Sequence, residues 1–323
     1  MNKLTIFLLL GYLSLSASCK KDVLHFQSVQ KLDSHTTTDR FNRIFFVNDT
    51  LGFIVGGEQT SRAVILTTHD GGYTWAGNSY PDAGTGIYGI TQSPSGILYT
   101  IGYAGKMLYS KDTGRSWKFN QLYDWQLLDI AFANANYGII VGGVSFKSGY
   151  KIFIDAAGNT TDQYYFSVQY NRIKMIDSQT GYILGYGLIE KTVDGGKTWG
   201  PLNAQGDDFT GFDFHNNGND IWVCGSNGTI LHSTDAGLNW TTKRNGRDLN
   251  IVSYHLYDIA FKDALHGWAI GDYGKIIYTD DGGDHWMEYT PFTNNTLRSI
   301  SLLSNSDLLV AGDNGSLYRL QIK

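Results

Sequence analysis

A six-residue motif, Asp-x-Gly-x-(Thr/Ser/Asn/His)-Trp, recurs five times, at Asp70 to Trp75, Asp112 to Trp117, Asp194 to Trp199, Asp235 to Trp240 and Asp281 to Trp286. Its aspartates lie 42, 82, 41 and 46 residues apart. The doubled interval holds a degraded copy, Asp155-Ala156-Ala157-Gly158-Asn159-Thr160, read as having one extra residue and no Trp. A second landmark, a glycine followed by a short turn and an alternating apolar strand, falls at Gly56, Gly102, Gly142, Gly185, Gly225, Gly271 and Gly312, which makes seven units. In the sixth, alternating segments at 256–261, 267–271, 275–279 and 285–289 read as four strands. Units of ~40 to 45 residues with four strands are the signature of a β-propeller, because one blade cannot bury both faces until its neighbours stack on it. The expected fold is all-β, a seven-bladed propeller of four-stranded blades. Composition agrees: 39 Gly, only 4 Pro, and 27 Asp against 3 Glu favour turns over helices. The seventh unit supplies only three strands, so residues 23–32 are expected to add its outer strand and close the ring.

The first nineteen residues carry Lys3, an apolar run from Leu4 to Leu15, and the small residues Ser16, Ala17 and Ser18 before Cys19. This reads as a signal peptide, too short for a spanning helix, which needs ~20 apolar residues. Leu15-Ser16-Ala17-Ser18-Cys19 resembles a relaxed bacterial lipobox, which implies lipidation at Cys19. The expected organisation is a lipoprotein signal peptide at 1–18, a lipidated tether at 19–23 and the propeller at 24–323. Lys20 after the cysteine favours outer-membrane delivery, on the periplasmic or the surface face, with the lipid as the sole membrane contact. The other cysteine, Cys224, sits in an apolar run and reads as a buried small hydrophobe. A net charge of -5 without a long basic run gives nucleic acid no general attraction.

In the repeated motif the aspartate accepts backbone N–H groups, the glycines take conformations other residues resist, and the Trp is expected to pack the outer strand. Neither calcium nor another metal is expected, since the acidic turn 280–284 lacks calcium-loop spacing and the eight histidines are scattered. Function on a propeller lies at a mouth of the central channel. Counting thirteen residues back from each landmark glycine, fourteen in the fifth unit, gives a ring of Arg43, Gly89, Asp129, Arg172, Gly211, Asp258 and Ser299. Arg298 adjoins it. Trp125, Tyr88 and Tyr257 are placed nearby in the entering loops, and Glu58, Lys147 and Tyr273 in a second loop set. Charged groups in such a setting need water or each other. Two readings stand open, an Arg/Asp network that plugs the channel, and a recognition patch for carboxylates or peptide carbonyls.

The Asp-box units, recurring as Gly-Asp-x-Gly-x-Ile-x-x-Thr-x-Asp-Gly-Gly-x-x-Trp at 271–286, resemble the BNR repeats of the photosystem II assembly and stability factor family. The resemblance implies a seven-bladed propeller that binds protein partners and is not an enzyme, with Arg43, Arg172 and Arg298 as candidates for arginine-rich recognition. It does not carry the photosynthetic role. A sialidase-like enzyme is disfavoured, because Phe41-Asn42-Arg43-Ile44-Phe45 lacks the motif proline and only Glu58 of the three glutamates falls near a mouth. An Asp129/Asp258 acid and base pair is a further alternative, as is glycan binding on Trp125 and the tyrosines. The expected protein is a monomeric, cofactor-free cell-envelope scaffold that binds a protein or peptide.

Overall fold

The computed structural model describes residues 24–35, 38–80, 83–204 and 206–322. The expected signal peptide and tether, residues 1–23, lie outside them. Seven four-stranded antiparallel sheets follow one another around an axis. Six are built from consecutive strands, and the seventh combines Leu297–Leu302, Leu308–Gly312 and Leu317–Gln321 with the N-terminal Ser28–Lys31. Ser28 pairs with Gln321 and Lys31 with Tyr318, so the expected closure is present. The segment before it reaches further: Leu24 bridges Tyr289 on the outer side of blade 6, and Phe26 stacks on the Tyr289 ring at 3.8 Å. In the sixth blade the outer strand is only Met287–Glu288, shorter than the expected segment.

Apolar side chains of adjacent blades interleave, and every core cluster spans a blade interface or a blade flank. The landmark glycines are required by close backbone approach, since a Cβ at Gly56 would lie 1.9 Å from the Arg40 carbonyl oxygen and one at Gly271 2.0 Å from that of His255. In each intact box the aspartate binds the turn. At Asp194, one carboxylate oxygen accepts from the Thr198 N–H (2.9 Å) and the other from its hydroxyl (2.6 Å). Those bonds hold the Asp194 carboxyl down at about 2. A hydroxyl two residues before the aspartate completes the motif: Thr192 Oγ1 donates to Asp194 and accepts the Gly196 N–H. Thr68, Ser110, Ser233 and Thr279 do the same in the other boxes.

Two expectations change. The degraded box has no extra residue, because Asn159 binds Asp155 at the same four-residue spacing as Thr198 binds Asp194; only its glycine is displaced. The box Trp also packs beyond its own outer strand, into the interface with the preceding blade. Trp117 meets Phe53 of blade 1 edge-on at 6.1 Å, and Trp199 joins Ile139, Val141 and Phe153 of blade 3.

Candidate functional site

One irregularity recurs at the same place in all seven inner strands, a register shift immediately before the ring position. A β-bulge of this kind leaves one residue unpaired and re-aims its neighbours. After the bulge the ring residues return to register, with Arg43 opposite Val55, Asp129 opposite Val141, Arg172 opposite Leu184 and Asp258 opposite Ile270. Each partner directly precedes a landmark glycine, which is why the counted spacing finds the ring.

The ring forms a charged floor across the channel. Arg172 lies between both carboxylates, 3.6 Å from Asp129 and 3.3 Å from Asp258, and Arg43 is 3.8 Å from Asp129. All four side chains are at least 88% buried. The carboxylates also join blades: Asp129 accepts the Ile173 N–H of blade 4 (3.1 Å) and Asp258 the Ile300 N–H of blade 7 (3.2 Å). Ser299 donates to Asp258 and accepts the Ile44 N–H of blade 1, continuing the chain of contacts across the closure. Burial pushes the Asp258 carboxyl up to about 6 against the pull of Arg43, and burial raises Asp129 as well. On one side of this floor the channel opens as a cavity of 770 Å³.

On the other side lies a mouth of 270 Å³ lined by the seven bulged residues themselves: Asn42, Tyr88, Leu128, Asn171, Thr210, Tyr257 and Arg298. This upper ring, one residue before the counted one, includes Tyr88, Tyr257 and Arg298 from the sequence reading and four residues that it missed. Three members lock the bulges together, with Asn42 donating to Ile87 O, Asn171 to Phe209 O and Thr210 to Leu256 O, each in the next blade. Arg298 forms a two-pronged pair with Asp313 at 2.6 and 3.0 Å and lies over the Tyr257 ring at 4.7 Å. Arg40, which the sequence reading also missed, is half exposed and reaches the same Asp313 at 3.1 Å. Two guanidiniums thus share one carboxylate beside two tyrosines. Glu58 lines an adjoining pocket with Arg40, Tyr88 and Asp313.

The remaining sequence candidates stand elsewhere. Trp125 is sandwiched between Tyr123 (4.1 Å) and Tyr150 (4.6 Å), with Tyr165 against its edge, outward on blade 3. It is packing, and the stack leaves no open indole face. Tyr273 is 75% exposed, sits in the turn Asp272–Gly274 and lines a separate pocket with Tyr254 and Lys275. Lys147 lies in the exposed hairpin turn of blade 3. Cys224 is buried, which pushes its thiol well above the ordinary range.

The model of the photosynthesis system II assembly factor YCF48 family matches residues 160–247 and 241–318. The photosystem II assembly lipoprotein Ycf48 of Synechococcus sp. (strain CC9902) is 26% identical over 152 residues, 45% of this chain and 44% of that protein. The photosystem II assembly protein Ycf48 of Synechococcus sp. (strain JA-3-3Ab) is 24% identical over 220 residues, 68% of this chain and 53% of that protein. The chain spans about half the length of these curated relatives. Among solved structures, YCF48 from Cyanidioschyzon merolae has a TM-score of 0.67 at 18% identity, covering 91% of this chain and 98% of its own. YCF48 bound to D1 peptide gives 0.67 at 17%, over 93% and 97%. A catalytically inactive virginiamycin B lyase from Staphylococcus aureus gives 0.70 at 13%, over 92% and 99%. At these identities the likeness is one of fold, and a fold hosts many functions. The chain is an Asp-box (BNR) seven-bladed propeller that resembles the photosystem II assembly factor family.

Proposed function

We propose that the chain is a non-enzymatic scaffold of the cell envelope that recognises a protein partner on the face carrying the upper ring. The observation behind this reading is the sharing of Asp313 by Arg40 and Arg298. It sets two guanidiniums beside Tyr88 and Tyr257, with Glu58 and Asp208 at the same face, donors suited to a peptide carboxylate or to backbone carbonyls. The relative of like fold that carries a D1 peptide supports a peptide partner as a class; no photosystem partner is assigned. A non-enzymatic role is favoured because Asp129 and Asp258, the best acid and base candidates, are both engaged by Arg172 and by neighbouring blades.

The same reading places the chain on the outer membrane through a lipid on Cys19. Metabolic labelling with a palmitate analogue should mark the wild type and not Cys19→Ala; equal labelling would exclude that anchor. Affinity capture from native membranes should lose its specific partner with Arg40→Ala, whose side chain is half exposed, while the melting temperature holds because Arg298 still pairs Asp313. Identical partner sets would sink the arginine-face reading, and selective glycan-array binding would replace it with carbohydrate recognition.

A further inference from the structure

The connection from the outer strand of blade 5 to the inner strand of blade 6, residues 245–255, is the longest of the six that join successive blades, at eleven residues. Its backbone is tied in place. Asp248 accepts the Asn250 N–H on its carboxylate (2.9 Å) and the Ile251 N–H on its carbonyl (3.2 Å). Arg244 donates to the Val252 carbonyl (3.0 Å) and lies over the Tyr254 ring at 4.6 Å. This fixed loop turns apolar groups outward. Among the described residues the three most exposed large apolar side chains are Leu249 at 100%, Val252 at 75% and Tyr273 at 75%; the first two are on the loop, with Ile251 between them. Tyr273 joins them from blade 6, lining a recess of 600 Å³ with Val252, Lys275 and Pro291. Single exposed apolar residues need no explanation, but four gathered on one rigid surface mark a contact.

The patch lies beside the point at which the described chain begins. Lys275, in the wall of the recess, donates to Glu288 (3.1 Å), and the Glu288 carbonyl accepts the Leu24 N–H (3.3 Å). Leu24 in turn accepts the N–H of Thr290, the neighbour of Pro291 (3.2 Å). Cys19 stands five residues before Leu24. A fully extended chain carries it no more than ~18 Å away. A lipid on Cys19 therefore holds a bilayer surface close to this side of the propeller.

We infer that this loop docks on the lipid surface that receives the Cys19 anchor, with Leu249, Ile251 and Val252 entering the boundary between headgroups and acyl chains. The inference rests on the anchor proposed above and adds a contact to the lipid, which the sequence reading took as the sole one. The side chains suit an interface: aliphatic tips that leave water, a tyrosine whose ring is apolar and whose hydroxyl stays wet, and the exposed Arg247, whose stem can lie along the surface with its charge among phosphates. A tether alone leaves the propeller free to turn, and a second contact fixes it. Because Ser226 and His255 line both this recess and the mouth that holds Arg298, docking of the loop turns the rim of that mouth towards the membrane.

The chain from Lys20 onward carries no acyl group and keeps every described residue, and it should co-float with vesicles of phosphatidylethanolamine and phosphatidylglycerol in proportion to lipid. Leu249→Asp/Val252→Asp should reduce that partition by roughly tenfold or more. The melting temperature should hold, since both side chains stand outside the core. Leu238→Asp, at a residue 68% exposed in the box turn of blade 5, should change neither. In the lipidated protein a nitrobenzoxadiazole probe on Leu249→Cys should shift to the blue and be quenched by brominated lipid, and one on Leu238→Cys should not; Cys224 is buried and takes no label. A lipid-free chain that stays in solution at every lipid concentration, co-flotation indifferent to the paired substitution, or equal responses from the two probes would overturn the inference. Palmitate labelling is read separately, so a protein that takes no label while its lipid-free form still co-floats through Leu249 and Val252 loses the anchor and keeps the loop.

Discussion

Replacing Asp258 with Asn should make the protein gain stability relative to wild type as the pH rises, although the substitution removes a charge from an ion-paired network. Burial lifts this carboxyl from its ordinary 3.8 to about 6. The folded state therefore holds the proton more tightly than the unfolded chain. The stabilisation from that proton is complete below pH 4 and is lost as the pH climbs through 6. A shift of roughly two units is worth about 3 kcal/mol at neutral pH. Asn has the size of the protonated acid and keeps an oxygen for the Ile300 N–H and the Ser299 hydroxyl. At position 258 the variant thus keeps at every pH the neutral group that the wild type carries at low pH, while Asp129, raised by burial as well, is present in both proteins. Urea unfolding followed by tryptophan fluorescence from pH 4 to 8 should show the difference between the two proteins changing by about 3 kcal/mol in favour of Asn. If the arginines instead hold Asp258 ionised, the difference will be flat or will run the other way, and the assignment of burial as the dominant effect is then refuted.

Three further outcomes follow from the packing. Gly56→Ala, which would drive a Cβ into the Arg40 carbonyl, should cost more than ~2 kcal/mol, whereas Gly200→Ala, with open space around it, should be near neutral; equal melts would contradict the close approach. Deleting residues 24–32 removes the Ser28–Lys31 ladder and the packing of Leu24, Phe26 and Leu32, and should lower the melting temperature by ~10 °C or more. The box carboxyls of Asp70, Asp112, Asp194 and Asp281 are held at about 2. Their stabilisation is present above pH 4 and is lost as the pH falls towards 2, so acid titration by circular dichroism should show the fold persisting at pH 4 and failing below it.

The period, the blade count and the lower ring were legible because they rest on repeated spacing, and every inner strand carries its bulge at the same place. Even the fifth blade, where Gly211 lies fourteen residues before Gly225, keeps the pairing, its added residue falling between Phe214 and Ile221. The upper ring was not legible as a ring, because a bulge is a property of strand pairing and leaves no hydrophobic trace; Asn42, Leu128, Asn171 and Thr210 share no chemistry that would mark them. The hydroxyl before each box was visible at fixed spacing and could have been found from Thr68, Ser110, Thr192, Ser233 and Thr279. Tyr273 lies in the loop after the second strand as expected, whereas the packing of Trp125 was not legible because loops carry no period: nothing in the residues around it announces Tyr123 and Tyr150 as its stacking partners.

The closing strand sets an order of events. Ser28–Lys31 is among the first segments of the described chain to be synthesised, and its partner Leu317–Gln321 is among the last. The ring cannot be sealed until the final strand has emerged, whatever the earlier blades have done. Until then Leu24 and Phe26 can reach Tyr289 of blade 6 but Ser28–Lys31 has no strand to pair with, and the flank of blade 1, with Leu66 and Trp75, lacks the blade 7 residues Leu309 and Leu317 that pack against it. A nascent chain arrested after blade 6, at residue 289, would present that apolar flank to any chaperone or protease it met, and completion of the 34 residues from there to residue 323 would hide it.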